Sequence, residues 1–241
     1  MKVLVVHAHP EAKSFASAMK NAAVDVLTAA GHSVEVTDLY ALNFNPVANA
    51  ADFGVPQNGD YLVYALEQRH GLETGTLSAD ILNEVEKVRR CDLLLLTFPI
   101  YWFSMPAILK GWIDRVFVSG AFYGGRRIYD RGGMIGRKAL VCATLGSRQS
   151  MVCDGGIHGD LAMMLRPLLQ GTLGYVGFDV LDPFFAYHVP YIEHQERLEI
   201  LDAWRASLGA LERRPAMQMP TLADFDETLS RRLPGKGLRN A

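Results

Sequence analysis

The sequence predicts an α/β fold, a doubly wound parallel sheet with helices on both faces, and three observations carry that expectation. Leu93-Leu94-Leu95-Leu96 is an unbroken apolar run without period-2 alternation, so it reads as a strand covered on both sides. Strand-like and helix-like segments alternate along the chain, as right-handed crossovers in one parallel sheet require. The leucine run stops at Pro99, and Tyr101, Trp102 and Phe103 follow at the carboxyl end of the strand, where open α/β sheets take their ligands.

The elements follow in order. Val3–Val6 is a short apolar strand. Ser14 can cap a helix in which Phe15, Met19, Ala22, Ala23, Val26 and Ala30 recur at helical spacing up to Gly31. Ser33–Leu39 alternates and suits a strand near an edge. The Asn-, Ala- and Pro-containing stretch from Tyr40 to Asp60 reads as a long surface loop, and a helix from about Ser78 to Arg90 leads into the leucine strand. Pro106 opens a helix over Ala107–Val118, with Ile108, Trp112 and Val116 on one face. Gly120 to Arg137 is an irregular, glycine-rich and basic excursion, and Lys138–Leu145 is the fourth strand. A helix from about Asp160 is interrupted by Pro167. Phe178–Phe184 is the fifth strand, and Gln195–Leu211 is a closing helix with Leu198, Leu201 and Leu208 facing inward. The division expected is a core domain over residues 1–213 and an extension over 214–241 that either packs on a partner or is partly mobile.

Composition bounds the function. The chain has 241 residues, 49% of them hydrophobic, enough for one substantial core. Its net charge is −2 and its pI about 6.4, which argues against a broad electrostatic footprint for nucleic acid. No apolar stretch approaches the roughly 20 residues that cross a bilayer, and the amino terminus lacks a signal-peptide pattern. Cys91, Cys142 and Cys153 are scattered, without CxxC spacing, and read as buried free thiols of a cytoplasmic protein; no metal site is expected.

Three loops can carry chemistry. In His7–Phe15 the amino end of a helix, the Ser14 hydroxyl and His9 or Lys13 suit a phosphate; equally, Ser14 is only a cap and His9 a surface residue. There is no GxGxxG or GxxxxGK[ST] pattern. In Pro99–Pro106 the aromatic residues are either core or a platform for a planar ligand. In Thr144–Ser150 and Gly155–Asp160, glycine-freed amides can meet the polar edge of a ring, and His158 can move a proton. The cluster Arg126, Arg127, Arg131, Arg137 and Lys138 reads as a solvated loop. No GxSxG elbow is present.

At these loops the chain resembles the NAD(P)H:quinone oxidoreductases of the DT-diaphorase type, within the flavodoxin-like fold. The resemblance spans roughly Val3 to Arg213. It is carried by His9, Ser14 and Phe15, by Asp38-Leu39-Tyr40-Ala41-Leu42-Asn43-Phe44-Asn45-Pro46, by the block Phe98 to Trp112, by Tyr129-Asp130 and by Gly156-Ile157-His158-Gly159-Asp160. It implies a five-stranded sheet of order 2-1-3-4-5, non-covalent FAD with FMN as the alternative, and a homodimer with sites at the interface. It also implies ping-pong hydride transfer from NAD(P)H to a quinone. By matched position, His9, Ser14, Phe15 and Ala16 hold the flavin's phosphate end; Pro99, Ile100, Tyr101, Trp102 and Phe103 hold the ring; Thr144, Leu145 and Gly146 meet its polar edge; and Arg197 reaches the nucleotide portion. Tyr123, Trp102, Phe103 and His158 wall the substrate pocket, with His158 catalytic.

This chain departs from the family pattern in five places. Val152 stands where better-known members have a tyrosine that shares charge relay with the histidine, Leu145 and Ser147 replace parts of a Thr-Gly-Gly sequence, Ala16 replaces an amide side chain, and Gly125 replaces a second pocket tyrosine. Two other activities are carried alongside: azo or nitro reduction on the same scaffold, and a regulatory subunit of a partner such as an ion transporter.

Overall fold

Apolar β-branched and leucine runs with no polar alternation form the centre of the sheet. The computed structural model describes residues 1–232. Strands β1 (Lys2–His7), β2 (Ser33–Asp38), β3 (Leu93–Pro99) and β4 (Lys138–Thr144) pair in parallel in the order β2-β1-β3-β4. Every residue of β3 is buried. Its alternate side chains divide between two layers: Leu93 and Leu95 face Met19, Leu27 and Trp204, whereas Leu94, Leu96 and Phe98 join Ile81, Val85 and Trp112. Helices α1 (Phe15–Ala29) and α7 (His194–Leu208) therefore cover one face. Helices α3 (Ala79–Arg90), α4 (Ala107–Val116) and α5 (Leu161–Met164) cover the other. The fold is the flavodoxin-like one expected.

The position of the fifth strand is filled by two segments, not one run over Phe178–Phe184. β5 (Asp179–Val180) and β6 (Phe184–Ala186) pair successively with β4, both in parallel. Between them lies Leu181-Asp182-Pro183, and a proline has no N–H to give to a ladder. A segment called α6 (Arg166–Leu168) and a π-helical turn over Leu169–Gly174 follow α5, so Pro167 does break that helix.

Three further expectations need correction, and one helix was not foreseen. Helix α2 (Tyr64–Thr74) occupies a segment that the sequence did not mark as helical. Leu198 is 39% exposed, and the inward positions of α7 are Leu201, Trp204 and Leu208. Cys153 is half-exposed; only Cys91 and Cys142 are buried. Residues 214–232 pack on this chain itself: Asp182 N–H donates to the Pro215 carbonyl, Met217 N–H donates to the Val180 carbonyl, and Leu222 is buried with its N–H on Asp130. The remainder of the expected extension lies outside the described residues. No helix among those described is long and apolar enough to cross a membrane.

The long loop after β2 is tied down from beneath. Arg115 of α4 is 3% exposed and donates to Asp52 at 2.7 Å, Asp80 at 2.6 Å and the Asn45 carbonyl at 2.9 Å. Tyr64 donates its phenol proton to Asp52, and burial with that carboxylate drives its pKa up. At Gly111 a Cβ would stand 2.1 Å from the Pro46 carbonyl oxygen, so only glycine lets α4 approach this loop. The basic cluster is also structural: Arg127 donates to the Gly120 carbonyl, Arg126 to the Asp226 and Glu227 carbonyls, and Lys138 pairs with Glu212.

Candidate active site

The carboxyl ends of β1, β3 and β4 open side by side, and the loops after them line one crevice of about 240 Å³. Its walls are His9, Phe15, Ala16, Pro99, Ile100, Tyr101, Thr144, Leu145 and Gly146, with Val189 and Pro190. Register explains the convergence: Pro99 pairs with Thr144, His7 with Thr97, and Ile100 N–H donates to the Thr144 carbonyl at 2.8 Å.

On the β1 side, Ser14 caps α1 by accepting the Ser17 N–H at 3.1 Å. His9 Nδ1 accepts the Glu11 N–H at 3.0 Å, and partial burial lowers its pKa. On the β3 side, Tyr101 and Ser104 exchange backbone hydrogen bonds of 2.9 and 3.0 Å around a two-residue tip. Trp102 and Phe103 occupy that tip with φ of 51° and 56°. Left-handed backbone at two successive bulky residues is strained and normally goes to Gly or Asn. The distortion leaves Trp102 96% exposed, next in sequence to crevice-lining Tyr101. Phe103 lies against the exposed His158, ring centroids 5.1 Å apart. The backbone N–H groups of Trp102, Phe103, Gly146 and Ser147 donate to no acceptor among the described residues.

The far wall follows β6. His188, itself left-handed at φ 57°, donates from Nδ1 to the Gly146 carbonyl at 2.9 Å and from its backbone to the Ser147 carbonyl at 3.0 Å. Arg197 donates from Nε and Nη2 to the Val189 carbonyl, so it props this wall. The sequence reading missed Val189, Pro190 and His188 because it ended the fifth strand at Phe184; a strand carried on to Ala186 would have marked them as its carboxyl-end loop.

Two of the residues singled out in the sequence lie away from the crevice of their own chain. Tyr123 does not reach the crevice of its own chain: it stacks near Tyr175, ring centroids 5.7 Å apart, in a separate cleft with Tyr64, Gln68 and Phe117. Val152 is buried in the hydrophobic layer, so the phenol lost there is replaced by core packing and not by another polar group.

A model described as flavodoxin-like fold matches residues 1–208. The chain belongs to that family. Within this flavodoxin-like family it is 39% identical over 208 residues to NAD(P)H dehydrogenase (quinone) 1 of Rattus norvegicus, covering 86% of this chain and 76% of the relative. It is 41% identical over 211 residues to the ribosyldihydronicotinamide dehydrogenase (quinone) of Homo sapiens, covering 87% and 91%. Among solved structures, a Klebsiella pneumoniae protein described as a candidate quinone reductase superposes with TM-score 0.92 at 34% identity, over 96% of this chain and 94% of that one. General stress protein 14 of Treponema denticola, solved with FMN, shares the fold alone: TM-score 0.61, 24% identity, 88% and 99% coverage.

A flavin fits what these residues offer. Flat apolar walls take a planar ring, the four free N–H groups suit the heteroatoms of its polar edge, and the capped amino end of α1 suits a phosphate.

Proposed function

We propose that this chain is a flavin-dependent NAD(P)H:quinone oxidoreductase that uses FAD. The observation that carries the reading is the single crevice at the carboxyl ends of β1, β3 and β4, where apolar walls adjoin a helix amino end and backbone N–H groups that have no acceptor among the described residues. A bound flavin supplies the two-electron chemistry that passes a hydride from a nicotinamide to a quinone.

The protein's own residues do the rest. His9, Ser14, Phe15 and Ala16 seat the phosphate end, while Pro99, Ile100 and Tyr101 bound the ring. The Gly146 and Ser147 amides stabilise negative charge at its edge. Trp102 and Phe103 offer faces on which nicotinamide and quinone stack in turn, holding each near the ring and excluding water. His158, exposed beside Phe103, offers a ring N–H to the group that gains negative charge. Because Tyr123 lies in a separate cleft of its own chain, we assign its substrate contact to a homodimer in which a second copy brings it over the crevice. Exposed Leu62, Val63 and Leu66 at the start of α2 suit such a contact. The cytosol is the compartment this reading implies.

Steady-state turnover with NADH or NADPH and a water-soluble quinone tests the proposal, with the flavin released on denaturation identified by mass spectrometry. Quinone-dependent oxidation of the nicotinamide is expected. Full flavin occupancy without turnover would overturn the enzymatic reading in favour of a regulatory subunit.

A further inference from the structure

A histidine stands where packing alone asks for an aliphatic side chain. His7 ends β1 after Val3-Leu4-Val5-Val6, is 1% exposed and is not among the residues that line the crevice. Both of its ring nitrogens are engaged. Nδ1 lies 2.8 Å from the Thr97 hydroxyl of β3, and Nε2 lies 3.0 Å from the Ser17 hydroxyl of α1. Ser17 continues the chain of contacts outward: its Oγ donates to the Glu11 carbonyl at 3.1 Å and accepts the Ser14 hydroxyl at 2.9 Å. Ser14 Oγ in turn accepts the Ser17 N–H at 3.1 Å. The core of the sheet is thereby joined to the amino end of α1 through three side chains.

We propose that His7 is a positioning residue for the flavin's phosphate end, acting through Ser17 to hold the Ser14 cap, and with it the first-turn amides of α1, in place. The inference rests on the flavin reading above. Its logic is that a buried imidazole must have its partners, so the partners are held as firmly as the strand that carries it. The groups facing His7 are Asp38 on β2, Lys20 on α1 and His9 on the adjoining loop; burial outweighs them and holds the ring neutral, its pKa brought down to about 4. Ser14 is half-buried at the rim, next to crevice-lining Phe15 and Ala16. An apolar residue at position 7 would remove the contact that ties Ser17 to the sheet, leaving its hydroxyl held by the Glu11 carbonyl and Ser14 alone, both at the helix end itself.

The test separates phosphate recognition from ring recognition. Flavin fluorescence quenching is measured with riboflavin, which lacks a phosphate, and with FMN and FAD, on the full chain after flavin removal. For His7→Leu, FMN and FAD affinity is expected to fall about tenfold, the weight of one oriented hydrogen bond at about 1.4 kcal/mol per decade. Riboflavin affinity should stay within about twofold. His7→Gln, whose amide keeps a donor toward Ser17, should recover most of the loss. In a Ser14→Ala background the His7→Leu effect should vanish, because its route runs through Ser14. Should His7→Leu fail to fold, Ser17→Ala, which removes only a hydroxyl, reads the same contrast. An equal loss for riboflavin, or a full loss on top of Ser14→Ala, would overturn the positioning role while leaving the flavin reading in place. A parent protein that binds none of the three flavins would overturn both.

Discussion

Acidification should unfold this protein partly through one imidazole. His7 is buried and neutral, with its pKa lowered to about 4, mainly by desolvation, from the 6.5 of a free side chain. Between those values the unfolded chain binds a proton that the folded chain refuses. The contribution is therefore fully present above pH 6.5 and is lost as pH falls toward 4. Integrating the linkage from pH 7 to pH 5 gives a loss of about 2 kcal/mol, rising to about 3 kcal/mol at pH 4. For a chain of this length that corresponds to roughly 4–8 °C of Tm at pH 5. Carboxylates also titrate in this range, so the informative quantity is a difference. Calorimetric Tm is measured from pH 7 to pH 5 for the parent and for His7→Leu, both free of flavin. The parent should fall several degrees further than the variant. Parallel curves would refute the claim that His7 is held neutral by burial.

Other perturbations test separate parts of the description. Trp102→Gly relieves a left-handed backbone at a side chain that is 96% exposed, so stability should rise by about 1 kcal/mol while flavin retention falls; a lower Tm would contradict the strain argument. Arg115→Leu leaves Asp52 buried without its cation and should destabilise by about 3–5 kcal/mol in urea titrations, with less than about 1 kcal/mol arguing against the role of this ion pair. His158→Ala, at an exposed position, should leave Tm unchanged and slow quinone turnover by roughly a hundredfold; equal rates would remove it from proton handling.

Much of the architecture could be read from the chain because the sheet is buried on both sides. Such strands are spelled in unbroken aliphatic runs, and β1, β3 and β4 were visible for that reason. The crevice was legible for a related reason: three loops at strand carboxyl ends must converge once the strands are parallel. Helix α2 was not legible, since its pattern is inverted. Leu66 is 53% exposed, whereas Glu67 and Gln68 point inward. Glu67 accepts the Gln57 and Asn58 N–H groups, and Gln68 donates to the Asp114 carbonyl. Those polar side chains satisfy the backbone of neighbouring loops, a task no hydrophobic period records. His7 escaped for a different reason. Its meaning depends on Thr97, ninety positions away, and on a strand register that local spacing does not encode. Leu198 misled because an apolar residue on a helix need not face the core.

The segment Pro215–Met217 bears on solubility. A parallel sheet ends on a row of bare amides and carbonyls that any extended peptide can adopt as a template. Here the Leu181–Ala216 bridge and its flanking hydrogen bonds cover the outer side of β5 with the protein's own backbone. Clipping the chain at residue 213 would strip that cover, and the shortened protein should gather into intermolecular β-structure on storage even where each molecule begins correctly folded.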